Sequence, residues 1–409
     1  MNAKIGISRA RGNVTVPPSK SVAHRLLISA ALADHGVSEI YNLPDCDDVL
    51  ATEAALTSFG AAFERKGDAL TVRGASMKSA SVTEEVFCNE SGSTLRFLIP
   101  LALLSGNPVT FCGAGKLMER PHKIYADIAE EKGFYYKQEN GKITVKGPLP
   151  AGNYTLPGNV SSQFITGLLF ALSTLSEDSR IFITENIESR SYIDLTISAM
   201  AEFGVMAVWE NERTLYIKGA QKYLAREITV EGDYSASAFI EAFNLFDGDV
   251  RVLGLSDSSL QGDKAYREIF PRLSAGFSTV DITNCPDLAP ILFAVAAAKH
   301  GAEFVGTKRL KIKESDRASV MAAELSKLGA SVEVYENRVL ISKSPLHAAD
   351  APILGHNDHR IVMALSVLLS VLGGEVSDAH AVSKSYPEFF EHLNKLGIKV
   401  SLYESQSEH

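Results

Sequence analysis

One pattern recurs along this chain of 409 residues and limits its possible folds more than any other. An amphipathic helix stops at a glycine, and a strand, a polar turn and a second strand come after it. It runs from Leu56 through Gly60 to Gly74, from Met200 through Gly204 to Gly219, and from Leu325 through Gly329 to Lys343. A fourth copy runs from Glu130 through Gly133 to Val145 and turns at Asn140-Gly141, a favoured hairpin pair. Gly276 and Gly397 mark two shortened copies. Glycine closes a helix well because it takes the left-handed conformation without a Cβ clash. The six glycines lie about 70 residues apart, with one interval near 50, which marks a repeated structural unit.

A second feature recurs in phase with the first. An almost wholly apolar helix opens each unit, and each opens on Ser or Asp: at Ser21, Ser91, Ser161, Ser235, Asp287 and Asp358. A helix apolar all round is a buried helix. Polar groups at its start therefore gather where the helix ends. Three such helices in each half, packed about a pseudo-threefold axis, would aim their N-termini at a common region. The first three units close near Gly219 and the fourth begins near Asp233. The last unit stops at Glu404 without its second hairpin strand, while Lys4 to Val16 is a spare strand–turn–strand. The expected organisation is an α/β protein of two domains, residues 17–231 and residues 1–16 with 232–409. The chain would cross between them twice, with a hinge at 17–20 and 230–233.

The stretch Pro17-Pro18-Ser19-Lys20-Ser21-Val22-Ala23-His24-Arg25 carries the clearest chemical signal. Two prolines end an extended segment, and Ser19 or Ser21 caps the helix beyond them. A helix N-terminus attracts anions, and Lys20 and Arg25 add two full positive charges there. Other basic groups stand at Glu119-Arg120-Pro121, Lys311 to Arg317, Asn357 to Arg360 and Ser383 to Pro387. Arg360 and Asp287 head apolar helices, where an unpaired charge is costly, although an isolated Asp such as Asp287 most simply caps its helix.

The net charge of −9 argues against a nucleic-acid or anionic-membrane binder, so any positive charge for an anionic substrate must be local. Cys46, Cys88, Cys112 and Cys285 are widely spaced and suggest neither a zinc site nor a disulfide framework. No apolar secretory segment comes after Met1, and the longest apolar run, Ile361 to Leu372, is too short to span a bilayer. A cytoplasmic protein is expected. Phosphate-loop, dinucleotide, zinc-protease and nucleophile-elbow motifs are absent, which points to no metal and no cofactor.

Taken in order, Pro18 to Ser21 with Arg25, Gly92 to Arg96, Arg120-Pro121, Ser161 to Phe164, Tyr192 to Asp194, Lys313 to Arg317, Asn357 to Arg360 and Lys384 to Pro387 resemble the motif series of the EPSP synthase family, over nearly the whole chain. The resemblance implies a two-domain inside-out α/β barrel, each domain built of three βαβαββ units around a pseudo-threefold axis, with the active site in the cleft. It implies transfer of the enolpyruvyl group of phosphoenolpyruvate to the 5-hydroxyl of shikimate 3-phosphate, with release of phosphate. Lys20, Ser21, Arg25, Ser161, Ser162, Gln163, Ser189, Tyr192, Asp287 and Lys313 would then bind shikimate 3-phosphate. Lys20, Gly92, Arg120, Gln163, Arg317, Arg360 and Lys384 would bind phosphoenolpyruvate. Asp287 would be the base for the hydroxyl, Glu314 the proton donor and acceptor at C3, and Lys20 the group that stabilises departing phosphate. The resemblance further implies small-molecule partners only, no nucleic acid, no membrane and a monomer.

Two positions depart from the family pattern. Glu90 stands where an asparagine is usual, and Arg309 where an asparagine often lies beside the shikimate ring. The alternatives are the sister enolpyruvyl transferase acting on UDP-N-acetylglucosamine, RNA 3′-phosphate cyclase, and a phosphometabolite-binding homologue without turnover. Pro18 to Ser21 and Asn357 to Arg360 fit the shikimate branch better than the sister enzyme, and Cys112 lies outside the loop context of that sister's cysteine.

Overall fold

The computed structural model describes residues 1–404 and resolves the chain into two compact units, Pro18–Glu231 and a second made of Met1–Pro17 with the chain from Gly232 onward. Six helices form the centres of the two units. They are α1 (Lys20–Leu32), α2 (Gly92–Ala102) and α3 (Ser162–Leu172) in the first, and α4 (Tyr234–Glu241), α5 (Ala289–Ala298) and α6 (His359–Leu372) in the second. From Ala289 to Ala297 every residue of α5 is buried, as a helix apolar on all faces demands. Each buried Leu, Ile, Val or Phe on these helices contributes about 1.5–3 kcal/mol of transfer free energy.

In the unit Pro18–Glu231 three four-stranded sheets share one plan. A parallel edge strand leads, two antiparallel strands come next, and the first strand of each hairpin takes the far edge. The second sheet runs Val86–Phe87, Pro108–Cys112, Lys142–Lys146, Tyr135–Glu139, and the third Asn153–Pro157, Ser179–Thr184, Thr214–Ile217, Ala207–Asn211. The first has no edge strand of its own between Pro18 and α1. Glu227–Thr229 from the far end of the unit pairs parallel with Ser38–Tyr41 instead, setting Ile228 opposite Ile40. The unit thus closes on itself before the chain leaves it.

The second unit repeats this plan once in full, as Ser278–Asp281, Gly301–Val305, Arg338–Ser342, Ser331–Val334. Its last repeat is completed by the start of the chain: Asn2–Gly6 lies between Gly374–Val376 and Lys399–Tyr403, antiparallel to both. Ile353 bridges Val376 in parallel, a one-residue remnant of the missing edge strand. Arg11–Thr15 then pairs parallel with Asp249–Leu253. The fourth repeat has no hairpin, because helix Tyr266–Ala275 runs directly into the edge strand of the next sheet. Five of the six repeat glycines have the positive φ that a left-handed helix end requires, whereas Gly276, at φ 166°, is merely extended.

The helix starts differ in detail from the expected Ser and Asp openings. Of the two serines expected at α1, Ser19 is the cap, whereas at α4 Asp233 takes the cap in place of Ser235. Leu288, not Asp287, takes the cap position of α5. Asp287 lies in the 3-10 turn Pro286–Leu288 ahead of that helix, and cations take its carboxylate. Asp358 does cap α6 through the Arg360 N–H.

A proline fixes the contact of α2 with α3. Pro100 has no N–H for the Arg96 carbonyl one turn earlier, and the Tyr125 hydroxyl donates to that carbonyl at 2.6 Å in its place. Gly167 of α3 packs onto this spot, where a Cβ would lie 2.4 Å from the Arg96 oxygen and 2.7 Å from the Tyr125 hydroxyl. Only glycine fits.

Candidate active site

At the start of α1 the Lys20 ammonium donates to the Asp48 carboxylate at 2.8 Å, and Asp48 stands in the first turn of helix Asp47–Ser58. One turn on, the buried Arg25 guanidinium donates through Nε to the Thr196 hydroxyl at 2.8 Å, through Nη1 to the Ser21 carbonyl at 2.6 Å and through Nη2 to the Tyr192 carbonyl at 3.0 Å. It also lies over the rings of Phe97 and Tyr192. All three acceptors are neutral, and burial pulls the guanidinium down to about 10. A cation held this way, with no carboxylate against it among the described residues, stabilises an incoming anion. Ser189, buried in the left-handed region at φ 58°, starts helix Arg190–Glu202, and its carbonyl accepts from the Tyr192 N–H at 3.1 Å. Local strain of this kind persists where the surroundings over-determine it.

The starts of α2 and α3 form a second group in the same unit. Ser161 caps α3 by accepting from the Gln163 N–H at 3.3 Å, with Ser162 buried beside it. The Gln163 side chain donates to the Ser93 hydroxyl at 3.0 Å and accepts from Arg96 Nη1 at 2.6 Å, which fixes the orientation of its amide. A Cβ placed on Gly92 would stand 3.1 Å from Arg120 Nη1 and 3.4 Å from Gln163 Oε1. The polar ends of Arg120 and Gln163 therefore converge on the bare backbone of Gly92. Nearby, burial and the Arg96 charge lower His122 to about 4, so its imidazole is neutral at pH 7. Glu90 is packed against Gly115, where a Cβ would be 2.8 Å from its carboxylate carbon.

In the second unit the basic and acidic groups are cross-linked. The Asp287 carboxylate accepts from Lys313 Nζ at 3.0 Å and Arg317 Nη1 at 2.8 Å through one oxygen, and the other lies 3.1 Å from Arg360 Nη2. Burial pushes this carboxyl up, but Arg360, Lys313 and Arg317 together outweigh burial and hold it well below the usual carboxylate range. Burial also lowers Lys313, with Arg309 adding to the effect and Asp287 opposing it. Arg317 reaches three carboxylates at once: Asp287, Glu314 at 2.7 Å and Asp358 at 2.9 Å. Lys384 donates to the Asn357 carbonyl at 2.7 Å.

Several members of these groups carried no individual signal in the sequence. Asp48 reads as ordinary first-turn acidity, and Thr196 as one more helical threonine. Asp263 is the sharpest omission: this carboxyl, buried in the turn Gly262–Ala265, accepts from the Ser235 hydroxyl, and burial together with the Asp287 charge raises it to about 7.

Comparison with solved structures defines the class first. An EPSP synthase from Acinetobacter baumannii matches with a TM-score of 0.78 at 23% identity, over 98% of this chain and 100% of that one. An enolpyruvyl transferase from Streptomyces tendae matches with a TM-score of 0.75 at 13% identity, over 98% of each chain. The fold is thus that of the enolpyruvyl transferases. The family model for EPSP synthase (3-phosphoshikimate 1-carboxyvinyltransferase) matches residues 5–393. Proteins named 3-phosphoshikimate 1-carboxyvinyltransferase match at 41% identity in Clostridium kluyveri and 40% in Clostridium novyi, each over 97% of both chains. This chain belongs to the EPSP synthase family. Among the described residues, no helix is long and apolar enough to cross a membrane.

Proposed function

We propose that this protein transfers the enolpyruvyl group of phosphoenolpyruvate to the 5-hydroxyl of shikimate 3-phosphate and releases phosphate. The observation that carries the mechanism is an ionised Asp287 ringed by Lys313, Arg317 and Arg360. Two substrates that each carry a phosphate and a carboxylate need many cations, and an acidic protein must concentrate them. Lys20, Ser21, Arg25, Ser161, Ser162, Gln163, Ser189, Tyr192 and Lys313 hold shikimate 3-phosphate in this reading, with Asp287 at its 5-hydroxyl. Lys20, Gly92, Arg120, Gln163, Arg317, Arg360 and Lys384 hold phosphoenolpyruvate.

The reaction is addition followed by elimination. Glu314, which takes up a proton once substrate draws Arg317 away from it, gives that proton to C3 of phosphoenolpyruvate, the 5-hydroxyl loses its proton to Asp287, and its oxygen bonds to C2. The tetrahedral adduct then returns the C3 proton to Glu314, and the C2–O bond to phosphate breaks as Lys20 gives the leaving oxygen a proton, which the proton held by Asp287 replaces as the enzyme resets. In the free protein three cations make Asp287 a poor base. Substrate anions that draw Arg360, Arg317 and Lys313 toward themselves weaken that hold and raise its proton affinity when it is needed. Arg317 shares its charge among three carboxylates, so a phosphoenolpyruvate anion that draws on it weakens its hold on Asp287 and ties substrate binding to the basicity of that carboxylate.

The protein works in this reading as a cytoplasmic monomer without nucleic acid, in keeping with its net charge of −9 and its four free cysteines. Phosphate release from phosphoenolpyruvate, with shikimate 3-phosphate and UDP-N-acetylglucosamine offered separately as acceptors, tests the reaction. Release with the former alone is expected. Release with the latter alone, or with neither, overturns it.

A further inference from the structure

We infer that Glu324 is a positioning residue for phosphoenolpyruvate binding: it locks the turn 354–357, whose far end delivers the Asn357 carbonyl to Lys384 and the Asp358 carboxylate to Arg317. The inference rests on the reading above, in which Lys384, Arg317 and Arg360 bind phosphoenolpyruvate.

Glu324 lies on helix Arg317–Lys327 and is buried, so its carboxylate needs donors. Oε2 accepts from the Leu354 N–H at 2.8 Å, Oε1 from His356 Nε2 at 3.0 Å, and Lys327 Nζ reaches both oxygens at 2.7 and 2.9 Å. The turn it holds has an unusual backbone. His356 and Asn357 are consecutive residues with side chains in the left-handed region, at φ 53° and 51°. Such a pair persists only where its surroundings impose it. On the other side of the turn the Gly355 N–H donates to the Ser377 hydroxyl at 3.1 Å.

The basic cluster begins where the turn ends. The Asn357 carbonyl accepts from Lys384, and Asp358 accepts from the Ser315 hydroxyl, from Arg317 and from the Arg360 N–H that it caps. Arg317 and Glu324 are seven residues apart, two helical turns, and so share one helix face. One helix therefore grips the segment at both ends, Arg317 at Asp358 and Glu324 at Leu354 and His356. A carboxylate serves three donors on two oxygens, and an amide has one acceptor oxygen and cannot do the same.

The test uses the full chain, with steady-state kinetics and amide hydrogen exchange on Glu324→Gln. The KM for phosphoenolpyruvate should rise about tenfold, the lower end of what a lost hydrogen bond to a charged group costs, while the KM for shikimate 3-phosphate stays put. Exchange at 354–358 should accelerate and the sheets around it should not change. His356→Asn tolerates the left-handed backbone but is too short to reach Glu324. It should move both readouts the same way by about threefold, which covers a Glu324→Gln chain that does not fold. An unchanged KM for phosphoenolpyruvate with faster exchange makes Glu324 merely structural and overturns the inference, as does an equal rise in both KM values. Wild-type protein that releases no phosphate with shikimate 3-phosphate overturns the functional reading itself, before either variant is measured.

Discussion

Arg317 and Asp358 form an ion pair of 2.9 Å from which water is excluded, with their side chains 1% and 0% exposed. Arg317 precedes its partner by 41 residues and begins a different helix, so the pair ties helix Arg317–Lys327 to the start of α6. Its charges are also shared. Arg317 contacts Asp287 and Glu314, and Asp358 binds Ser315 and the Arg360 N–H.

Removing the charge of Asp358 should therefore strand a buried cation. Asp358→Asn should destabilise the second unit by about 3–5 kcal/mol, the usual consequence of breaking one side of a buried pair. Glu314 and Asp287 still partly compensate Arg317, which favours the lower end of that range. Urea unfolding followed by hydrogen exchange in each unit checks this, since protection in Pro18–Glu231 should be unaffected.

Asp263 makes stability depend on pH in the direction opposite to a salt-bridged carboxylate. Burial and the neighbouring Asp287 charge raise it to about 7 from an ordinary value of 3.8. Between those values the unfolded chain has lost the proton and the native protein still holds it. The native state thus binds more protons, and its stability falls as pH rises from about 4 to 7, by on the order of 4 kcal/mol in total. Asp263→Asn keeps an acceptor for the Ser235 hydroxyl and removes this dependence. The melting temperature of the variant relative to wild type should rise across that interval and level off above it.

Gly167→Ala places a methyl where the Arg96 carbonyl and the Tyr125 hydroxyl already stand. Overpacking of this sort costs about 1–3 kcal/mol, and here it also pushes Arg96, which orients Gln163. A lower melting temperature with a raised KM for phosphoenolpyruvate is expected. A variant with lost stability and unchanged KM would separate Arg96 from the substrate site.

The repeat was legible because each unit carries its own local signals, a glycine helix end, alternating strands and an apolar helix. Gly60, Gly133, Gly204, Gly329 and Gly397 all proved left-handed. Gly276 misled in detail, since the residue type was right and the backbone only extended. The Ser and Asp at helix starts showed where polar and charged groups gather, but not which of them caps and which faces a cation. Asp287 was most simply a cap in sequence, and only the proximity of Lys313, Arg317 and Arg360, distant along the chain, makes it an acceptor for three cations. Asp48, Asp263 and Glu324 were invisible for a related reason. A carboxylate acquires its role from partners that the fold supplies, and neither spacing nor periodicity records them.

Arg25 exposes a conflict between stability and binding that a single variant can separate. Its guanidinium is buried against neutral oxygens, and one of these, the Tyr192 carbonyl, already accepts from the Thr196 hydroxyl at 2.9 Å. Replacing Arg25 with Met therefore leaves few groups unsatisfied and removes a desolvated charge, while the rings of Phe97 and Tyr192 can still pack on the apolar stem. The melting temperature of Arg25→Met should hold or rise in phosphate-free buffer. Its affinity for shikimate 3-phosphate should fall by about 100-fold, the loss expected for a charge-assisted contact to phosphate. Phosphate or sulfate should stabilise the wild type more than the variant, because the anion supplies the missing counter-charge. Equal stabilisation of both proteins would place the bound anion elsewhere, and a melting temperature that collapses on substitution would mean that Arg25 supports the fold more than it serves the substrate.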